Sequence, residues 1–133
     1  MKIKENNLCS FCHNEKDSIK HYLWDCPLIQ IFWEQFEQLL KDKCNNCSRL
    51  KLDPILALFG KDENTTTDEG FDFIILHAKY FIYKNHIKEQ PPTINGFIEY
   101  LRYVYKVDKY SYTINMNQNK FMKKWASYED IFK

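Results

Sequence analysis

Residues 9–36 read CSFCHNEKDSIKHYLWDCPLIQIFWEQF. The first part concentrates thiols and the second has the pattern of a buried helix face. Three of the chain's five cysteines fall between positions 9 and 26, in the spacing Cys9-x2-Cys12-x8-His21-x4-Cys26. Zinc prefers four soft or borderline ligands in a tetrahedron, and this ligand set follows that preference. Two cysteines separated by two residues can both point inward from one tight turn. HNEKD then supplies a polar return loop, and SIKHYLW places His21 on a short helical turn. On a continuous helix Cys26 would lie off the face that carries His21. Pro27 disfavours helical geometry at the residue before it, so the turn ends at Cys26 and its thiol swings back toward the metal. Cys26 also caps the helix that follows, where the positive end of the dipole favours a thiolate. A site closed by four protein ligands leaves no position for water and is structural rather than hydrolytic. The plainer alternative is a set of separate buried cysteines. His13, directly after Cys12, points away.

Working outward, Pro27 suits the first position of a helix over PLIQIFWEQFEQLLKD. Its apolar residues Ile29, Phe32, Trp33, Phe36, Leu39 and Leu40 recur at three- and four-residue steps. CNNCSRLKL reads as a turn. DPILALFG reads as a short apolar helix with Asp53 as N-cap, Pro54 behind it and Gly60 as stop. KDENTTTDE is a polar, acidic loop. Helix resumes near Glu69 and runs to about Lys88, with Phe71, Ile74, Ile75, Ala78, Phe81 and Ile82 on one stripe. Pro91 and Pro92 end it. Thr93 or Asn95 can cap a further helix in which Phe97, Leu101, Val104 and Asp108 lie on one line. NMNQ breaks that helix, and NKFMKKWASYEDIF adds a last helical piece. YSYTI is ambiguous between helix and strand.

The expected fold is all-α: a small zinc hook of CCHC type leading into a bundle of about four to five helices. One domain covers residues 1–133, with the hook at 8–27, a helix and a short apolar helix at 27–60, an acidic loop at 61–69 and a basic helical region at 70–126. With 133 residues, 44% apolar and 17% aromatic, the chain can bury a substantial core and is not of disordered composition.

Net charge is +1, but it is unevenly spread. Residues 1–76 hold nine Lys/Arg against thirteen Asp/Glu, and residues 77–133 hold ten against five. The basic second part is a weak pointer to phosphate contact. The N-terminal MKIKENNLCSFC has no apolar signal core, and no run approaches the length needed to span a bilayer. FDFIILHAKYFIY, the richest run, is broken by Asp72, His77 and Lys79. The expectation is a soluble intracellular protein of cytoplasm or nucleus with no membrane partner, in which cysteines are metal ligands more often than disulfides.

Cys44 and Cys47 form a second CxxC. They are spare thiols in a turn, ligands that replace His21 and Cys26 or build a second site, or a redox pair without a thioredoxin-like setting. No Ser-His-Asp order, HExxH or phosphate-binding glycine loop occurs, so no catalysis is expected.

The stretch from Cys9 to Phe36 resembles the zinc-binding segment that follows the reverse transcriptase in LINE-type non-LTR retrotransposons. That pattern runs CxxC, then (S/T)IxHxxxxC, then an apolar helix with FW. Cys9, Cys12, Ile19, His21, Trp24, Cys26, Pro27, Phe32 and Trp33 fit it. ILALFG, FIILHAKYFIYKNHIKEQPPTINGFIEYL and the closing KFMKKW are similar to its later elements, so the resemblance covers residues 8–126. It implies a module that binds nucleic acid, chiefly the RNA of its own element, and supports target-primed reverse transcription. The paired-Asp polymerase motif and the endonuclease are absent, so the chain would be a C-terminal fragment, an excised domain or a decayed copy. The CNNC pair departs from the pattern.

The residues that would meet nucleic acid are basic, with aromatic neighbours. Arg102, Lys106 and Lys109 follow i, i+4, i+7 spacing, flanked by Tyr103, Tyr105 and Tyr110. Lys120, Lys123 and Lys124 cluster beside Trp125, Lys79 lies four residues before Tyr83, and Lys16 and Lys20 belong to the hook. Cations would neutralise phosphates and rings would stack unpaired bases. The alternative is a solvated basic face with tyrosines at the core's edge. The rival function is a zinc-stabilised interaction domain that docks on the polymerase body or another protein.

Overall fold

A computed structural model describes residues 8–43, 69–126 and 128–132. The chain enters through a hook, passes a π turn at His21–Asp25, and continues into α1, Pro27–Lys43. Among the described residues three more helices follow: α2, Glu69–Ile87; α3, Ile94–Ile114; and α4, Gln118–Trp125. A 3-10 turn, Glu129–Ile131, closes the fold. Extended pairing among the described residues is limited to one antiparallel bridge between Leu8 and Lys16, at the base of the hook. The all-α expectation holds, and YSYTI is the end of α3. The expected helix at Asp53–Gly60, the acidic loop after it, and Cys44 and Cys47 lie outside the described residues.

Periodicity places each helix as read. In α1, Ile29, Phe32, Trp33, Phe36 and Leu40 are buried. In α2, Phe71, Ile74, Ile75, Ala78 and Ile82 are buried, and in α3, Phe97, Leu101 and Val104. Phe32 is a hub: its ring lies 5.6 Å from Trp33, 6.4 Å from Phe36, 6.2 Å from Phe81 and 5.9 Å from Phe97. Removing such a ring costs about 3–5 kcal/mol. A second aromatic nest joins Tyr105 to Phe121, Trp125 and Phe132 at 5.3, 5.2 and 4.7 Å. Phe73 links it to α2 through Trp125 at 5.6 Å. One cluster of buried residues contains Cys9, Phe11, Leu23 and Cys26 of the hook together with the helix residues.

The helix ends have local causes. Thr93 is the N-cap of α3, its Oγ1 accepting from the Gly96 N–H at 3.0 Å. Helices α2 and α3 each close on a left-handed residue that is not glycine: Glu89 at φ 57° and Met116 at φ 56°. Gln90 N–H donates back to Asn85 O at 3.0 Å, and Asn117 N–H to Tyr112 O at 2.9 Å, so both ends are six-residue Schellman closures. Among the described residues no helix is long and apolar enough to cross a membrane.

Candidate metal centre

The knuckle at the start of the hook is a hydrogen-bonded turn. His13 N–H donates to Cys9 O at 3.0 Å, and His13 itself takes a left-handed φ of 58°. Cys9 N–H donates to Glu15 O at 2.8 Å, which closes the return loop. Within this turn the amides aim at the thiols. Phe11 N–H lies 3.4 Å from Cys9 Sγ, and the N–H groups of Asn14 and Glu15 bond Cys12 Sγ. His13 is exposed and stays outside the cluster, as expected.

The other two members of the cluster stand at the two ends of the π turn, His21 as its first residue and Cys26 just after its last. Cys26 N–H donates to His21 O at 2.8 Å, the i→i+5 bond that defines this widened turn. As expected, the turn ends at Cys26: the wider turn and the extended backbone there (φ −61°, ψ 131°) bring its thiol back to the cluster. Pro27 enforces that backbone. Cys26 O then accepts from Ile29 and Gln30, both at 2.9 Å, while Leu28 and Ile29 N–H groups bond its sulfur. The residue thus caps α1 twice over. The carbonyls of the turn are taken up by α1 side chains: Trp33 Nε1–H donates to Leu23 O and Gln30 Nε2–H to Trp24 O, each at 2.6 Å.

Cys9 Sγ, Cys12 Sγ, His21 and Cys26 Sγ present four ligand atoms within 4.8 Å of one another. Cys9 Sγ is 4.0 Å from Cys26 Sγ, and Cys12 Sγ is 3.3 Å from His21 Nε2. Metal–sulfur bonds of about 2.3 Å in a tetrahedron require sulfur–sulfur edges of about 3.8 Å, so the cage has the size of a four-coordinate ion's first shell. The three cysteines are free thiols, not disulfides. Burial raises the Cys12 thiol, but the Asn14 and Glu15 amides, His21 and Cys26 outweigh it and bring the group down to about 6. Burial pushes the Cys26 thiol up to about 12, against the pull of the Leu28 and Ile29 amides and with the Cys9 and Cys12 sulfurs adding to the rise. One thiol is held ready as a thiolate and one must lose its proton to bind. Cys9 and Cys26 are fully buried, and no fifth ligand joins the cluster among the described residues.

The basic residues separate into two groups. Lys16, Lys20, Lys106, Lys109, Lys120 and Lys123 are exposed. Lys20 makes a loose pair with Asp25 at 3.7 Å. Lys106 and Lys109 lie on α3, and Lys120 and Lys123 on α4. The others turn inward. Lys124 is buried, with Nζ 3.2 Å from Asp108 Oδ2 and 3.5 Å from the centre of the Phe73 ring. Trp125 Nε1–H donates to the same Asp108 oxygen at 2.8 Å, which explains a carboxylate on the apolar line of α3. Arg102 clamps the Phe132 carbonyl through Nε at 3.1 Å and Nη2 at 2.9 Å, and pairs with Glu99. Lys79 is half-buried, and that burial lowers its pKa. Of the tyrosines beside the basic stripe, Tyr103 and Tyr110 are exposed, whereas Tyr105 packs inward and donates to Glu129 at 3.0 Å.

No protein-family model matches the chain, and no solved structure matches it significantly.

Proposed function

We propose that the chain is a non-catalytic, zinc-held helical module that binds nucleic acid, RNA first of all. It would serve as the C-terminal module of a retrotransposon reverse transcriptase and support target-primed reverse transcription. The observation that carries the reading is the closed Cys9–Cys12–His21–Cys26 cage built into the same core as the helices. Three thiols and an imidazole in a cage of this size suit zinc, and four protein ligands make the ion a structural one. Its chemistry is to fix the hook; the chain's own amides set the thiols and its helices do the binding. Support for nucleic acid comes from the exposed Lys106, Lys109, Lys120 and Lys123 on neighbouring helices, together with the resemblance of the hook to the retrotransposon segment.

The test is binding of zinc-loaded protein to a labelled single-stranded RNA at low and near-physiological salt, with chelator-treated protein alongside. Salt-sensitive binding that is lost with the zinc is the expected result. Absence of binding even at low salt would overturn the nucleic-acid reading. One observation favours a protein partner instead. Leu76, Tyr80, Tyr83 and Ile87 on α2, and Tyr103, Val107, Tyr110 and Ile114 on α3, form exposed stripes at i, i+4, i+7, i+11. The polymerase body or another protein would then cover this face.

A further inference from the structure

Among the described residues, the exposed tyrosines Tyr80, Tyr83, Tyr103 and Tyr110 all stand on α2 and α3. Between these helices runs a groove of about 380 Å³, walled by Phe73, His77, Tyr80, Tyr100, Tyr103 and Val107. Tyr80 is 49% and Tyr103 66% exposed, so both rings offer free surface. His77 Nδ1 lies 2.9 Å from the Tyr100 hydroxyl. Burial lowers the His77 pKa, nearby Lys124 lowers it further, and Asp108 opposes. The imidazole therefore adds no positive charge to the groove at neutral pH. Lys84 stands at the rim with Nζ 5.5 Å from the Tyr80 ring centre, and Lys106 is exposed next to Val107.

We propose that this groove is a stacking site for an unpaired base of a single-stranded nucleic acid, with Tyr80 and Tyr103 supplying ring faces and Lys84 and Lys106 meeting the adjoining phosphates. The proposal rests on the nucleic-acid reading above and says where on the molecule it operates. Its volume lies in the range of small-ligand sites, enough for one planar base. The walls are mainly rings, which stack any base, rather than the aliphatic knobs that a partner helix would seek. Charge fits as well. The lining carries the Lys84 ammonium, and its one carboxylate, Asp108, is already bonded by Lys124 Nζ and Trp125 N–H.

The experiment compares zinc-loaded wild type, Tyr80→Ala, Tyr103→Ala, Tyr103→Phe and Lys106→Ala on a short single-stranded RNA over a salt series. A matched oligonucleotide with abasic positions is run in parallel. Each tyrosine-to-alanine change should weaken binding about five- to a hundredfold with an unchanged salt slope. Tyr103→Phe should bind as wild type, and the abasic strand should lose the difference between wild type and the alanine variants. Lys106→Ala should instead reduce the salt slope by about one. Wild-type affinity in both alanine variants, with the lysine effect intact, overturns the groove and leaves the nucleic-acid reading standing. Binding of neither strand at low salt overturns both and assigns the exposed stripes to a protein.

Discussion

His86 Nε2 lies 2.8 Å from Asp17 Oδ2, although 69 residues of chain separate them. The imidazole also stacks on Tyr22, with centroids 4.0 Å apart and planes 23° apart, and meets Phe11 edge-on at 5.7 Å. The last turn of α2 is thereby fastened to the knuckle, the return loop and the π turn at one point. Both side chains are mostly buried, at 16% and 19% exposed. His86→Ala removes the bond to the largely buried Asp17 carboxylate and the ring contacts. Urea unfolding of the metal-loaded protein should show a loss of about 2–3 kcal/mol. A loss below about 0.5 kcal/mol, the range of inert surface changes, would mean the latch does not hold the hook.

Metal removal should act through the same core. Cys9 and Cys26 are counted among the buried residues that pack with α1, so an empty cage loosens more than the hook. Chelation should lower the melting temperature by at least about 10 °C, since structural zinc contributes many kcal/mol of folding energy. Cys9→Ser should melt where the chelated wild type melts, and chelator should not lower it further. An equal response to chelator in wild type and variant would remove Cys9 from the ligand set.

The thiols of the metal-free protein should differ sharply. Cys12 sits at about 6 and Cys26 at about 12, on either side of the ordinary value of 9.0. For Cys12 the folded value is depressed, so its thiolate lends stability above pH 9.0 that is lost as pH falls toward 6. For Cys26 the folded value is raised, so its neutral thiol lends stability below pH 9.0 that is lost as pH rises toward 12. At pH 7, alkylation should mark Cys12 before Cys26, with mass spectrometry as the readout. Zinc affinity should rise with pH, because binding displaces the Cys26 proton. Faster labelling of Cys26 than of Cys12 would contradict the arrangement of amides around them.

Two adjacent lysines should part company. Lys124 is 6% and Asp108 16% exposed, so Lys124→Ala leaves a largely buried carboxylate with the Trp125 N–H but without its cation, at a cost of about 3 kcal/mol. Lys123 is exposed, and its alanine variant should stay within about 0.5 kcal/mol of wild type in thermal or urea unfolding. Similar stability for the two variants would argue against the buried pair.

Two glycine exchanges should have opposite signs. A Cβ at Gly70 would lie 2.2 Å from the Lys124 carbonyl oxygen and 2.6 Å from the Tyr128 ring. The carbonyl is backbone and cannot swing aside, so Gly70→Ala should cost about 1–3 kcal/mol. Met116 is 90% exposed and holds a left-handed φ of 56°, so Met116→Gly relieves strain without losing packing. It should gain about 0.5–1 kcal/mol. Calorimetry of the pair checks both, and a stabilising Gly70→Ala would show that α2 and α4 do not approach as closely as the geometry says.

Much of the architecture was readable because its signals are local. The apolar steps of α1, α2 and α3 repeat within one helix, and Pro27, Thr93 and Pro91 mark ends through their own backbone chemistry. The spacing from Cys9 to Cys26 is likewise a property of one short segment, and the four side chains do come together. The end of the turn at Cys26 was legible too, because Pro27 excludes helical backbone before it; that the turn closes through one wider, i→i+5 hydrogen bond was not.

What the amino-acid sequence alone determined, then, was the helical class, the helix faces and the Cys9–Cys12–His21–Cys26 cluster, because these follow from periodicity and from side-chain chemistry within a few residues. Only the tertiary structure decided which cations serve the core and which face outward, why Asp108 sits on an apolar line, why position 70 must lack a Cβ, and that His86 meets Asp17. Each of these depends on which helix packs against which. Lys123 and Lys124 are equivalent as sequence and differ only because α4 turns one of them toward Asp108 of α3.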